Sequence, residues 1–197
     1  MPAENRLNIF LACSEMSPYA KTGGLADVTS ALAEWFEGAG HEVRLLMPFY
    51  SSIDEAALDI EVVPELQNME MELGGRTLHY WIVKARAESA GPPVYLLQCP
   101  ELYSGEELYS GPDEHLRFTL LSRAAIEMCQ KLTFRPDIFH VHDWHTAMVP
   151  LYLKTLYAWD SLFKETKTVL TIHNIGYQGV FGADILGDIG LDGSARE

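Results

Sequence analysis

The sequence predicts an α/β domain: a doubly wound, mostly parallel sheet with a β-hairpin insertion. Three observations carry this expectation. A strand–loop–helix–strand unit fills residues 7–47. Strand-length apolar runs then alternate with stretches of helical periodicity. Finally, the residues that carry chemistry fall just after predicted strands, where ligands bind in this architecture.

The elements follow in order. Residues 7–12 are apolar apart from Asn8 and read as a buried strand. A polar turn with glycines comes next. Leu25, Val28, Leu32, Trp35 and Phe36 then lie on one face of a helix, and Gly38 and Gly40 stop it. Residues 41–47 are β-like, and Pro48 ends them. Residues 69–73 and 77–83 flank Gly74-Gly75-Arg76, which predicts a hairpin. Residues 93–99 form a further strand with Pro93 at its edge. Leu116, Leu120, Ala124 and Met128 recur every four residues, predicting a helix over 111–130, and Pro136 breaks the pattern. Residues 137–143 predict a strand. Residues 145–157 predict a helix, with Pro150 near its first turn, where a missing N–H costs least. Residues 167–172 are the last clear strand. The tail carries Gly176, Gly179, Gly182, Gly187, Gly190 and Gly193 with no closing element, an end that suits a truncated domain.

Composition narrows the function. The 197 residues are 48% apolar, which excludes a disordered chain. That length predicts one domain able to bury a sizeable core without staples. With 28 acidic against 14 basic residues the net charge is −14, and the basic residues form no run. Nucleic acid and anionic membrane surfaces are therefore disfavoured as partners. Cys13, Cys99 and Cys129 are too far apart for a C-x-x-C pair, so they read as reduced thiols. The apolar run near the N-terminus is too short for a signal peptide, and no segment reaches membrane-spanning length. The expected location is the cytoplasm.

Three motifs carry chemistry. Lys21-Thr22-Gly23-Gly24-Leu25-Ala26-Asp27 lies between a strand and a helix. Two glycines let the backbone approach a ligand, and a helix N-terminus offers N–H groups to an anion. It matches neither common nucleotide fingerprint. Phosphate contact and a plain helix-capping turn with Lys21 in solvent both remain open. His140-Val141-His142-Asp143-Trp144-His145 invites three readings: a metal site, structural histidines at a strand end, or a polar pocket for sugar or phosphate beside Trp144. Asp143 follows the second histidine directly, one position too early for the familiar metallohydrolase spacing. The third motif is Thr171-Ile172-His173-Asn174-Ile175-Gly176-Tyr177-Gln178-Gly179, whose amides suit hydroxyl groups. His173 could equally be structural.

Together with Cys13-Ser14-Glu15-Met16, these motifs resemble the bacterial glycogen synthases and plant starch synthases, in order and spacing across nearly the whole chain. The resemblance implies a GT-B enzyme of two Rossmann-like domains facing a cleft. It would transfer glucose from ADP-glucose to an α-1,4-glucan, with retention and no cofactor or metal. Residues 1–197 would be the N-terminal, acceptor-side domain, and the nucleotide-binding C-terminal domain of the same chain would be missing. The resemblance places His173 and Asp143 at the reacting glucose. Lys21, Gly23 and Gly24 would meet the donor phosphates. Asp27, Trp144, His145, Asn174 and Glu15 would be the other substrate-binding residues. A plant parent would work in the plastid. Alone, the chain is expected to have little or no transferase activity. The alternatives are a non-catalytic carbohydrate- or nucleotide-binding module and, third, a metal-dependent hydrolase.

Overall fold

The structure is a computed structural model that describes residues 6–87, 93–105, 107–109, 111 and 113–191. In chain order its elements are β1 (Asn8–Ala12), α1 (Gly24–Gly38), β2 (Glu42–Pro48), β3 (Leu58–Val62), β4 (Met69–Leu73), β5 (Arg76–Ala87), β6 (Val94–Gln98), α2 (Pro100–Tyr103), α3 (Glu114–Lys131), β7 (Ile138–His142), α4 (Met148–Lys154) and β8 (Lys167–Thr171).

Five strands form a parallel core in the order β6-β2-β1-β7-β8. β5 extends it antiparallel beyond β6 and carries β3 and β4 along its two halves. β1 is central: Leu11 faces Leu45 of β2 on one side and His140 of β7 on the other. From there the chain winds both ways. α1 connects β1 to β2, and α4 connects β7 to β8. Crossovers of one hand running in opposite directions place these helices on opposite faces. α3 packs on the α4 side, with Leu120, Leu121, Ala124 and Met128 wholly buried. The predicted α/β architecture is thus present. The hairpin is present too: Gly74 and Gly75 have φ of 59° and 70°, the left-handed pair that a tight two-residue turn needs.

Several expectations need correction. The buried stripe of α1 is Leu25, Ala26, Thr29 and Ala33, while Val28 is 40% and Trp35 65% exposed. Small residues let this helix lie close to the sheet. The Thr29 hydroxyl reaches the Glu15 carbonyl at 2.9 Å, so a polar residue holds the contact that a larger apolar one would fill. β3 was not expected, because Asp59 and Glu61 interrupt its apolar pattern. α3 begins at Glu114, and α4 spans only Met148–Lys154. The residues before α4 are held in turns, with the amides of Thr146 and Ala147 donating to the carbonyls of Asp143 (3.4 Å) and Trp144 (3.2 Å). The glycine-rich tail folds back on the domain. Ile189 is buried, its carbonyl accepts from the Tyr152 hydroxyl at 2.8 Å, and the Asp188 carbonyl accepts from Gly74 N–H at 3.2 Å. Gly193 and the closing residues lie outside the described part.

The three cysteines are unpaired and buried, and burial pushes the Cys13 thiol up to about 12. Among the described residues no helix is long and apolar enough to cross a membrane.

Candidate functional site

The strand order reverses between β1 and β7, so the loops at their carboxyl ends diverge and leave a crevice. A cleft of about 970 Å³ opens there, bounded by the tips of β1, β7 and β8. Glu15, Gly23, Gly24, Asp143, Trp144, His145, His173 and Asn174 all line it. The predicted site residues are therefore brought together, with two exceptions.

The exceptions are Lys21 and Asp27. Lys21 Nζ lies 2.7 Å from both carboxylate oxygens of Asp27, and both side chains are about half exposed. They stand beside the cleft, not in it. The glycine turn swings the first turn of α1 so that Asp27 meets the lysine six residues before it. An opposite charge at that distance offsets the charge that Lys21 was expected to offer a ligand.

The loop after β1 is organised around Glu15, which is buried. Its carboxylate accepts from the backbone N–H of Thr22, from Gly23 N–H at 3.3 Å, from the Thr22 hydroxyl at 2.7 Å and from the Tyr109 hydroxyl. The Gly23 amide, expected to meet the donor phosphates, thus already holds an internal anion together with that of Thr22. Gly24 opens α1 with no side-chain cap. A Cβ on Gly23 or Gly24 would meet nothing within 4 Å, so both glycines border open space.

At the tip of β7, Asp143 adopts φ of 55°, a left-handed conformation that Asp tolerates better than most residues. The turn aims its carboxylate at β8: Oδ1 accepts from the N–H of His173 at 2.6 Å and of Asn174 at 3.4 Å. Trp144 is enclosed by aromatic rings. Phe118, His145 and Phe181 lie 5.0, 4.5 and 5.5 Å from it, centre to centre. Gly179 closes one side, because a Cβ there would sit 2.2 Å from a ring carbon. His145 stacks on Tyr109 at 4.7 Å, and burial together with the Arg117 charge holds its pKa down to about 3.

Three histidines stand in a column. His140 stacks on His142 with ring centres 4.3 Å apart, and His142 lies 5.2 Å from His173. His142 Nδ1 and His173 Nε2 are 2.9 Å apart, and His140 Nε2 meets the Thr171 hydroxyl at 2.7 Å. Burial, with the neighbouring His140 and His173, keeps the His142 pKa down to about 3. Among the described residues no group of three or more His, Cys, Asp or Glu side chains is arranged to hold a metal ion. The column is a chain of ring contacts, which answers the structural-histidine reading for His140 and His142.

Sequence reading missed Tyr109 and Glu114, which also line the cleft. Tyr109 sits in irregular chain before α3, with no periodicity to mark it. Among the described lining residues, Glu15, Glu114 and Asp143 bring carboxylates and no Lys or Arg contributes. Backbone amides already hold Glu15 and Asp143. The remaining surface offers amide, imidazole, phenol and glycine backbone groups, a lining suited to hydroxyl-rich ligands more than to a naked polyphosphate.

Comparison with known proteins accords with this geometry. The glycogen synthase of Geotalea daltonii is 41% identical over 193 residues, covering 95% of this chain and 39% of the relative. Glycogen synthase 1 of Geobacter sulfurreducens is 42% identical over 181 residues, covering 89% and 36%. Among solved structures, the catalytic domain of starch synthase IV from Arabidopsis thaliana, bound to ADP and acarbose, superposes with a TM-score of 0.85 at 31% identity. That match covers 95% of this chain and 38% of the plant chain. The chain thus spans about two fifths of the length of the relatives it matches. The sequence profile of the starch synthase catalytic domain matches residues 8–197. With fold, strand-tip motifs and profile in agreement, this chain belongs to the starch synthase catalytic domain family, as a Rossmann-like half of a GT-B glycosyltransferase.

Proposed function

We propose that the chain is the acceptor-side domain of a longer glucan synthase that moves glucose from ADP-glucose to the non-reducing end of an α-1,4-glucan with retention. The observation that carries this is the meeting of the β1, β7 and β8 tips in one cleft, lined by Glu15, Gly23, Gly24, Asp143, Trp144, His145, His173 and Asn174. The plant structure bound to ADP and acarbose supports a nucleotide and a glucan analogue as ligands for a cleft of this kind.

The chemistry follows from the residues. His173 and Asn174 offer donors and acceptors to sugar hydroxyls from a strand tip that Asp143 holds in place. Gly23 and Gly24 let the α1 N-terminus approach the donor closely. Front-face attack by the acceptor hydroxyl, with the leaving phosphate oxygen taking its proton, asks the protein for positioning and for stabilisation of the diphosphate. Lys21 reaches the donor only by leaving Asp27. The described cleft supplies no other cation, so the diphosphate charge would be met mainly by the second domain.

The test is to titrate this chain with maltohexaose and ADP-glucose while following backbone amides by NMR, and to assay ADP release with glycogen present. The expected result is maltohexaose-induced shifts at Trp144, His173 and Asn174, with negligible ADP release. Turnover approaching that of an intact synthase refutes the division of labour. Shifts confined to another surface refute the site.

A further inference from the structure

We infer that His142 is the positioning residue that decides which nitrogen of His173 carries the proton, so that His173 meets the cleft through an Nδ1–H donor. The consequence for glucose rests on the proposed transferase reading, whereas the proton's place is a property of the fold alone.

The argument starts from one shared proton. His142 Nδ1 and His173 Nε2 lie 2.9 Å apart, so one donates and the other accepts. The opposite nitrogen of His142, Nε2, is sealed from solvent and has no hydrogen-bond partner among the described residues. If His173 donated, a neutral His142 would carry its own proton on that sealed Nε2, leaving a buried N–H with no acceptor. If His142 donates from Nδ1, the sealed atom is only a lone pair. An orphaned buried donor is the rarer and costlier of the two. His142 is therefore the Nδ1–H tautomer, and its partner accepts on Nε2. A neutral His173 must then hold its proton on Nδ1.

The same contacts fix the direction of that donor. The His142 ring is stacked on His140 at 4.3 Å, and its backbone N–H donates to the Thr146 hydroxyl at 2.8 Å. The His173 backbone is tied to Asp143 Oδ1 at 2.6 Å. His173 lines the cleft, and its Nε2 is the nitrogen engaged by His142, which leaves Nδ1 for a ligand there. An N–H held this way selects an oxygen acceptor, such as a sugar hydroxyl, over a hydrogen-bond donor. Burial suppresses protonation of His142, so a second proton does not overturn the arrangement.

The experiment is two-bond proton–nitrogen correlation of the imidazoles in this chain at neutral to slightly alkaline pH, for the wild type and two variants. In the wild type, His142 and His173 should both show the Nδ1-protonated pattern, with His173 biased about tenfold, the order one buried hydrogen bond supplies. His142→Phe keeps a ring in the stack but removes the donor, and should return His173 to the mixed tautomers of a free imidazole. His142→Asn restores an N–H and should restore the bias. A wild-type His173 protonated on Nε2 overturns the proposal, and so does an unchanged Nδ1 pattern in His142→Phe. If either variant fails to fold, the wild-type spectrum still decides. Adding ADP-glucose and maltohexaose separates the two readings: no ligand shift with the expected tautomers defeats the transferase reading alone, and ligand shifts with the wrong tautomer defeat this one alone.

Discussion

β1 and β8 both pair with β7, both are five-residue parallel strands, and both were legible as strands in the sequence, yet they live in different surroundings. β1 is flanked by β2 and β7 and is buried from Ile9 onward. Among the described residues β8 is paired on one side only, with Val169 43% and Leu170 45% exposed. A parallel strand normally has both faces covered. The comparison teaches that an apolar run specifies a strand but not its cover, which comes from elements elsewhere. It also divides the site. Glu15 and the tip of β7 stand on the firm side. His173 and Asn174 stand on the open side and owe their positions to Asp143.

The sharpest way to break this contrast is a matched truncation. Leu11→Ala should cost about 2–5 kcal/mol, because it empties a fully packed position, whereas Leu170→Ala should cost under about 1 kcal/mol. Urea unfolding of both variants measures the difference. Equal losses would mean that β8 is covered as well as β1.

Acid tests the β7 side. Burial lowers the pKa of His140, and holds His142 and His145 down to about 3. A histidine with a depressed folded pKa contributes stability that is full above its unfolded value, near 6.5. Between that value and about 3 the unfolded chain binds the extra proton, so stability falls as pH falls. His142 and His145 should each add about 1 kcal/mol per pH unit to the slope over that window. Urea midpoints from pH 7.5 to 4.5 should decline accordingly. His145→Phe, which keeps the stack on Tyr109, should remove one proton's share of the slope.

A further effect is expected at the joint between the two sides. Gly179 has φ of 60° and presses on Trp144. Gly179→Ala adds a methyl group where the ring already stands and should cost about 1–3 kcal/mol. A shift of tryptophan emission together with a lowered urea midpoint would report it. An unchanged spectrum would show that the tail is free to move off the ring.

Much of this arrangement was legible in the sequence, for identifiable reasons. Strands β1, β2 and β7 announce themselves because buried parallel strands are short, dense and apolar, and β8 because Thr168, Val169, Thr171 and Ile172 are β-branched. Their tips could be named because Gly23-Gly24, Asp143-Trp144 and His173-Asn174 break those runs with polar groups. β3 escaped because Asp59 and Glu61 alternate through it. The packed face of α1 was misassigned because Ala26, Thr29 and Ala33 are chosen for close approach, which an index of hydrophobicity ranks below Val28 and Trp35. Tyr109 had no pattern to betray it. The pairing of Lys21 with Asp27 depends on a loop path, and the histidine column depends on strand register: His142 pairs across β7 and β8 with Thr171, which brings His173 within its reach.

Position 143 answers to two demands at once. Its residue must sit comfortably with φ of 55°, and its side chain must receive the amides of His173 and Asn174. Glycine satisfies the first demand and fails the second; glutamate has the oxygen but the wrong reach and a backbone less at ease there. Only aspartate and asparagine meet both, so saturation mutagenesis at this codon should leave an alphabet of two letters.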